Sequence, residues 1–244
     1  MIRRQHDTAG NSDRELIDGL RRLRGESNFL VPAVRAVASL IIRGLLRIYN
    51  RFEIVGQERL RTNRPLVIVA NHASHLDTLC LLAALPLRKL DRAFPVAAAD
   101  YFFQSSLRRW FATVVLNALP FGRQLHIRRS LSICSGLIKP GNVLIIFPEG
   151  TRSTNGQTQE FKPGVGALVA GRDVVVVPCY LHGTFRAWPK GRYFPRPFKI
   201  SLIVGEPCNF ATSSTGKHAN DFIASELRAR VQKIAQPVAK DIGS

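Results

Sequence analysis

His72 and Asp77 are the two side chains of this sequence best spaced for acid–base chemistry. They lie in the stretch Asn71-His72-Ala73-Ser74-His75-Leu76-Asp77, directly after the apolar run Leu66 to Ala70. In open α/β sheets, ligands gather beyond the carboxyl ends of the strands, so a polar cluster at such an end is well placed to act. At the mouth of a helix the spacing lets a carboxylate reach back to an imidazole, orienting a general base and stabilising its protonated form. A hydroxyl nucleophile needs that help, because its own pKa lies far above neutral. Two other readings use the same residues. Ser74 or Asp77 could cap a helix while the histidines simply pack, or His72, His75 and Asp77 could offer two imidazoles and a carboxylate to a metal. The remaining histidines, His6, His126, His182 and His218, stand in no comparable constellation.

A second polar cluster, Phe147-Pro148-Glu149-Gly150-Thr151-Arg152-Ser153, follows the apolar run Val143 to Phe147. Gly150 lets the backbone approach a ligand closely, while Thr151 and Arg152 can donate to phosphate oxygens. A solvated turn with an arginine on the surface has the same composition, so this cluster speaks mainly through its company with the first.

Taken together, the motifs resemble those of the PlsC-type lysophospholipid acyltransferases, whose best-known members are the 1-acylglycerol-3-phosphate acyltransferases. Asn71-His72-x-Ser74-x-x-Asp77 resembles their first motif, Phe147 to Ser153 matches the third letter for letter, and Val177-Pro178 with Gly183 is similar to the fourth. The likeness runs from about Gly56 to Gly205. In the second motif, Asn117-Ala118-Leu119-Pro120-Phe121-Gly122-Arg123 keeps the arginine but carries Asn where the family usually has Gly, which bears on the acceptor more than on the chemistry.

The resemblance implies that His72 is the general base, Asp77 its orienting partner, and the acceptor hydroxyl the group that attacks a thioester directly. Arg123, Glu149, Gly150, Thr151 and Arg152 would hold the acceptor, with its phosphate on the arginines. Glu149 beside Arg152 could instead be an ion pair that organises the loop. The donor would be acyl-CoA or acyl carrier protein, the acceptor a lysophospholipid such as 1-acyl-sn-glycerol-3-phosphate, and no metal or redox cofactor is called for. Glycerol-3-phosphate, or a lysolipid lacking a terminal phosphate, stays open as the acceptor.

Elements to carry these loops are legible in the hydropathy pattern. Apolar β-type runs occur at Phe52 to Val55, Leu66 to Ala70, Phe94 to Ala98, Val143 to Phe147, Val174 to Cys179 and Ile200 to Val204. Helical stretches fall between them, at about Asp77 to Leu85, Tyr101 to Ala112, Leu125 to Ile138, Val165 to Ala170 and Lys217 to Ile234. Alternating strands and helices predict an α/β fold with a mostly parallel, mixed sheet flanked by helices. The Pro- and aromatic-rich stretch Phe185 to Phe198 reads as a loop. With 244 residues the chain has room for one large core, so residues 1–50 read as an N-terminal tail and amphipathic helical segment and residues 51–244 as one α/β domain.

The formal net charge of +18 attracts nucleic acid, anionic lipid or phosphorylated ligands alike. No acidic residue occurs between Asp100 and Glu149 or between Asp173 and Glu206, so the basicity sits inside the folded body. From Phe29 to Tyr49, Arg35, Ser39, Arg43 and Arg47 recur every four residues, while Leu30, Val34, Val37, Ile41, Leu45 and Ile48 recur at three or four. That is the pattern of a helix lying in a membrane interface, or of an amphipathic helix packed on the protein's own core. Exposed aromatics interleaved with Lys and Arg from Phe185 to Phe194 also suit a nucleic-acid-binding module. Beside two acyltransferase motifs they favour an anionic membrane surface over nucleic acid. Cys80, Cys134, Cys179 and Cys208 lie far apart in or beside apolar segments and read as buried free thiols. With no secretory signal visible, the expected location is the cytoplasmic face of a membrane, peripheral or monotopic.

Overall fold

The computed structural model describes residues 30–98, 111, 115–121 and 127–240. Arg123, the N-terminal tail and almost all of the helix expected over Tyr101 to Ala112 lie outside the described residues. The described elements begin with helix α1 (Leu30–Tyr49), then strand β1 (Glu53–Val55), a 3-10 turn, β2 (Leu66–Ala70) and α2 (Leu76–Ala84). A second 3-10 turn (Leu87–Arg92) leads to β3 (Ala93–Ala98), β4 (Leu119–Phe121), α3 (Ile127–Leu137), β5 (Val143–Ile146) and α4 (Gly164–Val169). β6 (Val175–His182), the single turn α5 (Thr184–Ala187), β7 (Ser201–Val204) and α6 (Lys217–Lys240) complete the set.

Seven strands form one sheet in the order β1-β7-β6-β2-β5-β3-β4, parallel throughout except where β7 runs antiparallel to β6. The central strands are buried on both faces, which is why β2 and β5 read as unbroken β-branched and leucine runs rather than alternating ones. Leu66, Ile68 and Ala70 turn to a core shared with α1 and α2, while Val67 and Val69 turn to one shared with α3, α4 and α6. Helices therefore cover both faces. Register places Val69 of β2 beside Ile146 of β5, so the loops that follow these two strands leave the sheet side by side.

β4 is an addition to the expected strands. It is three residues long, holds Pro120 and sits at the sheet edge, where a missing backbone donor is readily tolerated. β6 extends to His182, three residues past its apolar run, because β7 pairs with its far end.

The facing of α1 needs the three-dimensional structure. Its polar stripe points into the protein: Arg35 is buried at 5% exposure and bonds Asp91 at 2.5 Å, Ser39 is buried, and Arg43 donates to the Leu85 carbonyl. Leu46, with Ala38 and Ile42, packs on the core from the same side. The opposite face leaves Leu30, Val37, Leu40, Ile41, Leu45 and Ile48 exposed. No described helix is long and apolar enough to cross a membrane.

Candidate active site

His72 sits two residues past β2, and its position is fixed from both neighbouring strands. Asn71 acts as an extra rung of the sheet: its side-chain carbonyl accepts from the Leu181 amide at 2.7 Å, and its side-chain amide donates to the Leu181 carbonyl at 3.1 Å. From the β5 side, the His72 amide donates to Glu149 Oε1 at 2.9 Å, and the Ser153 amide donates to the His72 carbonyl at 2.8 Å. The His72 ring stacks on Phe147 with centroids 4.2 Å apart. These contacts leave the catalytic candidate little freedom to drift.

Asp77 stands in the first turn of α2 and is 0% exposed. A carboxylate so deeply buried must be well bonded. Its Oδ2 meets His72 Nδ1 at 2.9 Å and accepts from the amides of Ala73 and Ser74, each at 2.7 Å. Asp77 thus orients His72 and ties down the backbone just ahead of α2, with its carboxylate in the first turn of that helix. With Nδ1 turned to Asp77, Nε2 is the ring nitrogen left to meet a reactant. Ser74 adds a brace, accepting from the Leu76 amide and donating to the Trp188 carbonyl at 2.6 Å.

His75 belongs to a different corner of the crevice. Its Nε2 contacts the Arg152 guanidinium, and its ring lies 5.1 Å from that of Trp188. Of the three residues read as possible metal ligands, His72 and Asp77 face each other while His75 turns to Arg152, and no group of His, Cys, Asp and Glu suited to a metal occurs among the described residues.

The second cluster turns sharply after β5. Gly150 has φ +71°, where a side chain is strained, and a Cβ there would run into the Lys162 side chain. Thr151 is exposed and Arg152 half-buried at the mouth, whereas Glu149 is buried behind them. Burial pushes the Glu149 carboxyl up to about 7, against the opposing pull of the His72 and Gln159 amides. Glu149 touches the backbone of His72 and thereby ties the two clusters together. Sequence reasoning placed it among the acceptor-holding residues.

Asn117, which stands where the resembling family usually has Gly, has φ +54°. Asparagine is the residue that tolerates this left-handed region best after glycine, so the exchange preserves the turn. Its buried side chain donates to the carbonyls of Asp91 and Ala93, fastening the start of β4 to β3.

Sequence reasoning missed Asn71, Phe147 and Ser153 as positioning groups, and Lys162 beside Gly150. The first three stood inside the motifs; only Lys162 gave no sequence signal. Between α1 and α2, a small gap of about 20 Å³, little more than one water, is lined by Ile42, Leu79, Leu82, Leu90, Val115 and Leu116 with the polar Arg35 and Ser39. Leu79 follows Asp77 by two residues.

Comparison with known proteins gives a consistent set of likenesses. Residues 51–182 match the model of a family described as Acyltransferase. A 1-acyl-sn-glycerol-3-phosphate acyltransferase of Chlamydomonas reinhardtii is 30% identical over 201 residues, covering 79% of this chain and 58% of that protein. A chloroplastic one of Arabidopsis thaliana is 32% identical over 187 residues, 75% of this chain and 49% of that protein. The alpha form from Mus musculus is 29% identical over 197 residues, 78% and 66% of the two chains. The chain spans about half the length of the first curated relatives it matches. In fold it is similar to the crystal structure of the 1-acyl-sn-glycerophosphate acyltransferase PlsC from Thermotoga maritima, with TM-score 0.60, 20% identity, and 95% and 98% of the two chains covered.

Proposed function

From the premise that this chain belongs to the acyltransferase family, we propose that it moves a fatty acyl chain from a thioester to the free hydroxyl of a lysophospholipid. The favoured conversion is 1-acyl-sn-glycerol-3-phosphate to phosphatidic acid, the acceptor in the names of the relatives. One observation carries this reading: a base–carboxylate pair and an arginine-bearing loop, 77 residues apart in sequence, meet through the His72 amide and Glu149.

The chemistry follows from the ring orientation. His72 Nε2 takes the proton of the acceptor hydroxyl as its oxygen bonds to the thioester carbonyl carbon, and Asp77 stabilises the imidazolium so formed. Collapse of the tetrahedral intermediate breaks the carbon–sulfur bond, and the imidazolium returns the proton to the thiolate. An ester and a free thiol result, with no acyl-enzyme. Arg152, with Arg123, holds the acceptor phosphate.

Both substrates carry long chains, so the site belongs at a lipid surface. The exposed apolar face of α1 is the first point of attachment, buried into the interface of an anionic membrane on its cytoplasmic side. The proposed donor is acyl-CoA or acyl carrier protein. Incubation with both donors and a panel of lysolipids plus glycerol-3-phosphate, read by lipid mass analysis, tests the assignment: new phosphatidic acid supports it. Acylation of glycerol-3-phosphate alone would replace the acceptor, and no acyl transfer from either donor would refute the reading.

A further inference from the structure

Residues 188–198 form an exposed, braced loop with no part in the chemistry above. Tyr193 is 89% and Phe194 80% exposed, two adjacent rings standing in water at the loop's tip. Lys190, Arg192 and Arg196 are exposed around them, and no acidic residue lies between Asp173 and Glu206 in the sequence.

The loop is held at both sides. On one, Trp188 donates its indole N–H to the Arg192 carbonyl at 2.7 Å, and its own carbonyl accepts from Ser74 Oγ beside the catalytic pair. On the other, the Tyr49 hydroxyl donates to the Pro195 carbonyl and Arg51 to that of Pro197, each at 3.1 Å, while Asn50 donates to Arg196 and Phe198 carbonyls, each at 3.0 Å. Tyr49 and its neighbours form the end of α1, where Ile48 is also widely exposed. The aromatic tip is thus fastened between the apolar helix face and the crevice.

We propose that this loop is a second membrane anchor, in which Tyr193 and Phe194 enter the interface of an anionic bilayer while Lys190, Arg192 and Arg196 meet its headgroups. Aromatic rings settle at headgroup level and basic side chains gain from anionic lipid, so the mixture suits that surface on both counts. Because the loop is braced through Trp188 and Ser74, its insertion sets the height of His72 above the lipid. The inference rests on the membrane reading given above and extends it from one contact to two.

Sedimentation of the full chain with equimolar phosphatidylglycerol–phosphatidylcholine vesicles tests it. The double variant Tyr193→Ser, Phe194→Ser should bind about tenfold or more weakly with an unchanged melting temperature, since two rings lose their apolar burial. In a Phe194→Trp variant, brominated lipid should quench the added indole emission. Wild-type affinity of the loop variant, with release only by Ile41→Asp, Leu45→Asp, would overturn the second anchor and leave α1 as the attachment. Indifference of the parent chain to vesicles would remove both. Binding to a thymidine oligonucleotide that the loop variant loses, without any vesicle effect, would reassign the loop to nucleic acid.

Discussion

Helix α1 and the candidate catalytic crevice around His72 break opposite rules of protein architecture. The crevice buries two carboxylates, Asp77 and Glu149, where charge is costly. Helix α1 leaves a row of leucine, valine and isoleucine side chains in water, where apolar surface is costly. In the crevice the offsetting contacts lie inside the chain: three donors reach one oxygen of Asp77, and backbone amides reach Glu149. On α1 the polar stripe is satisfied inward by Asp91 and the Leu85 carbonyl. Nothing comparable offsets the exposed apolar face among the described contacts. Each carboxylate has one oxygen bonded within the chain and one, Asp77 Oδ1 or Glu149 Oε2, without a partner among the described residues. The exposed face of α1 is the surface proposed above for the membrane.

Breaking the crevice should have the largest effect. Loss of the base in His72→Ala is expected to slow acyl transfer by about a hundredfold to ten-thousandfold, with the fold retained because the ring is part-exposed and its backbone contacts persist. Asp77→Asn should slow it as well and also lower stability, since an amide can turn a donor toward the Ala73 and Ser74 amides. Near-normal turnover in folded His72→Ala protein would remove the mechanism. Activity and melting temperature measured on one preparation separate the two effects.

For α1, the comparison predicts a split between stability and attachment. Ile41 and Leu45 are 58% and 61% exposed, so Ile41→Asp with Leu45→Asp should leave the melting temperature unchanged and release the protein from anionic vesicles. Arg35→Ala should do the reverse, costing about 1–3 kcal/mol of stability through its broken contact with Asp91 while vesicle binding persists. If the double aspartate variant melts early, the face packs on the protein and the contrast fails.

A smaller effect separates acceptor recognition from catalysis within the crevice. A guanidinium can grip a phosphate through two parallel hydrogen bonds that an ammonium cannot reproduce, so Arg152→Lys should raise the KM for a phosphorylated acceptor about tenfold with little change for the donor. The lysine also forfeits the contact with His75, which holds Arg152 at the mouth. Arg123→Ala should act likewise if it shares the phosphate. Equal losses toward phosphorylated and unphosphorylated acceptors would make Arg152 an organiser of the loop.

Much of the frame was legible before the structure. The apolar runs that became β2 and β5 are continuous because both faces are covered, and the polar letters after each are unmistakably loops. β4 was not legible, since Leu119–Phe121 is too short for a period and holds a proline. Periodicity showed that α1 has two faces. Which one turns inward depends on Asp91 and Leu85, placed by tertiary structure. Likewise the letters Glu149 and Arg152 look alike as polar loop residues. Only the adjacent strand ends reveal that one turns back to the His72 amide and the other toward the mouth.

Glu149 also gives the finest test of how completely the crevice offsets its buried charge. A carboxyl raised to about 7 on folding favours the folded state while it is protonated, and that contribution fades as pH climbs from the ordinary glutamate range through 7. Glu149→Gln keeps a side-chain carbonyl to accept from the His72 amide and removes the ionisation. The variant should therefore gain roughly 1–3 kcal/mol over the parent at pH 8 and little at pH 5, read by denaturant melts at both values. Its activity at pH 7 should change only a few-fold, because the bond that positions His72 survives. Parallel stability profiles for parent and variant would mean that the Glu149 carboxylate is as well solvated as an exposed one. A large rise in acceptor KM with unchanged stability would return this residue to direct binding of the acceptor.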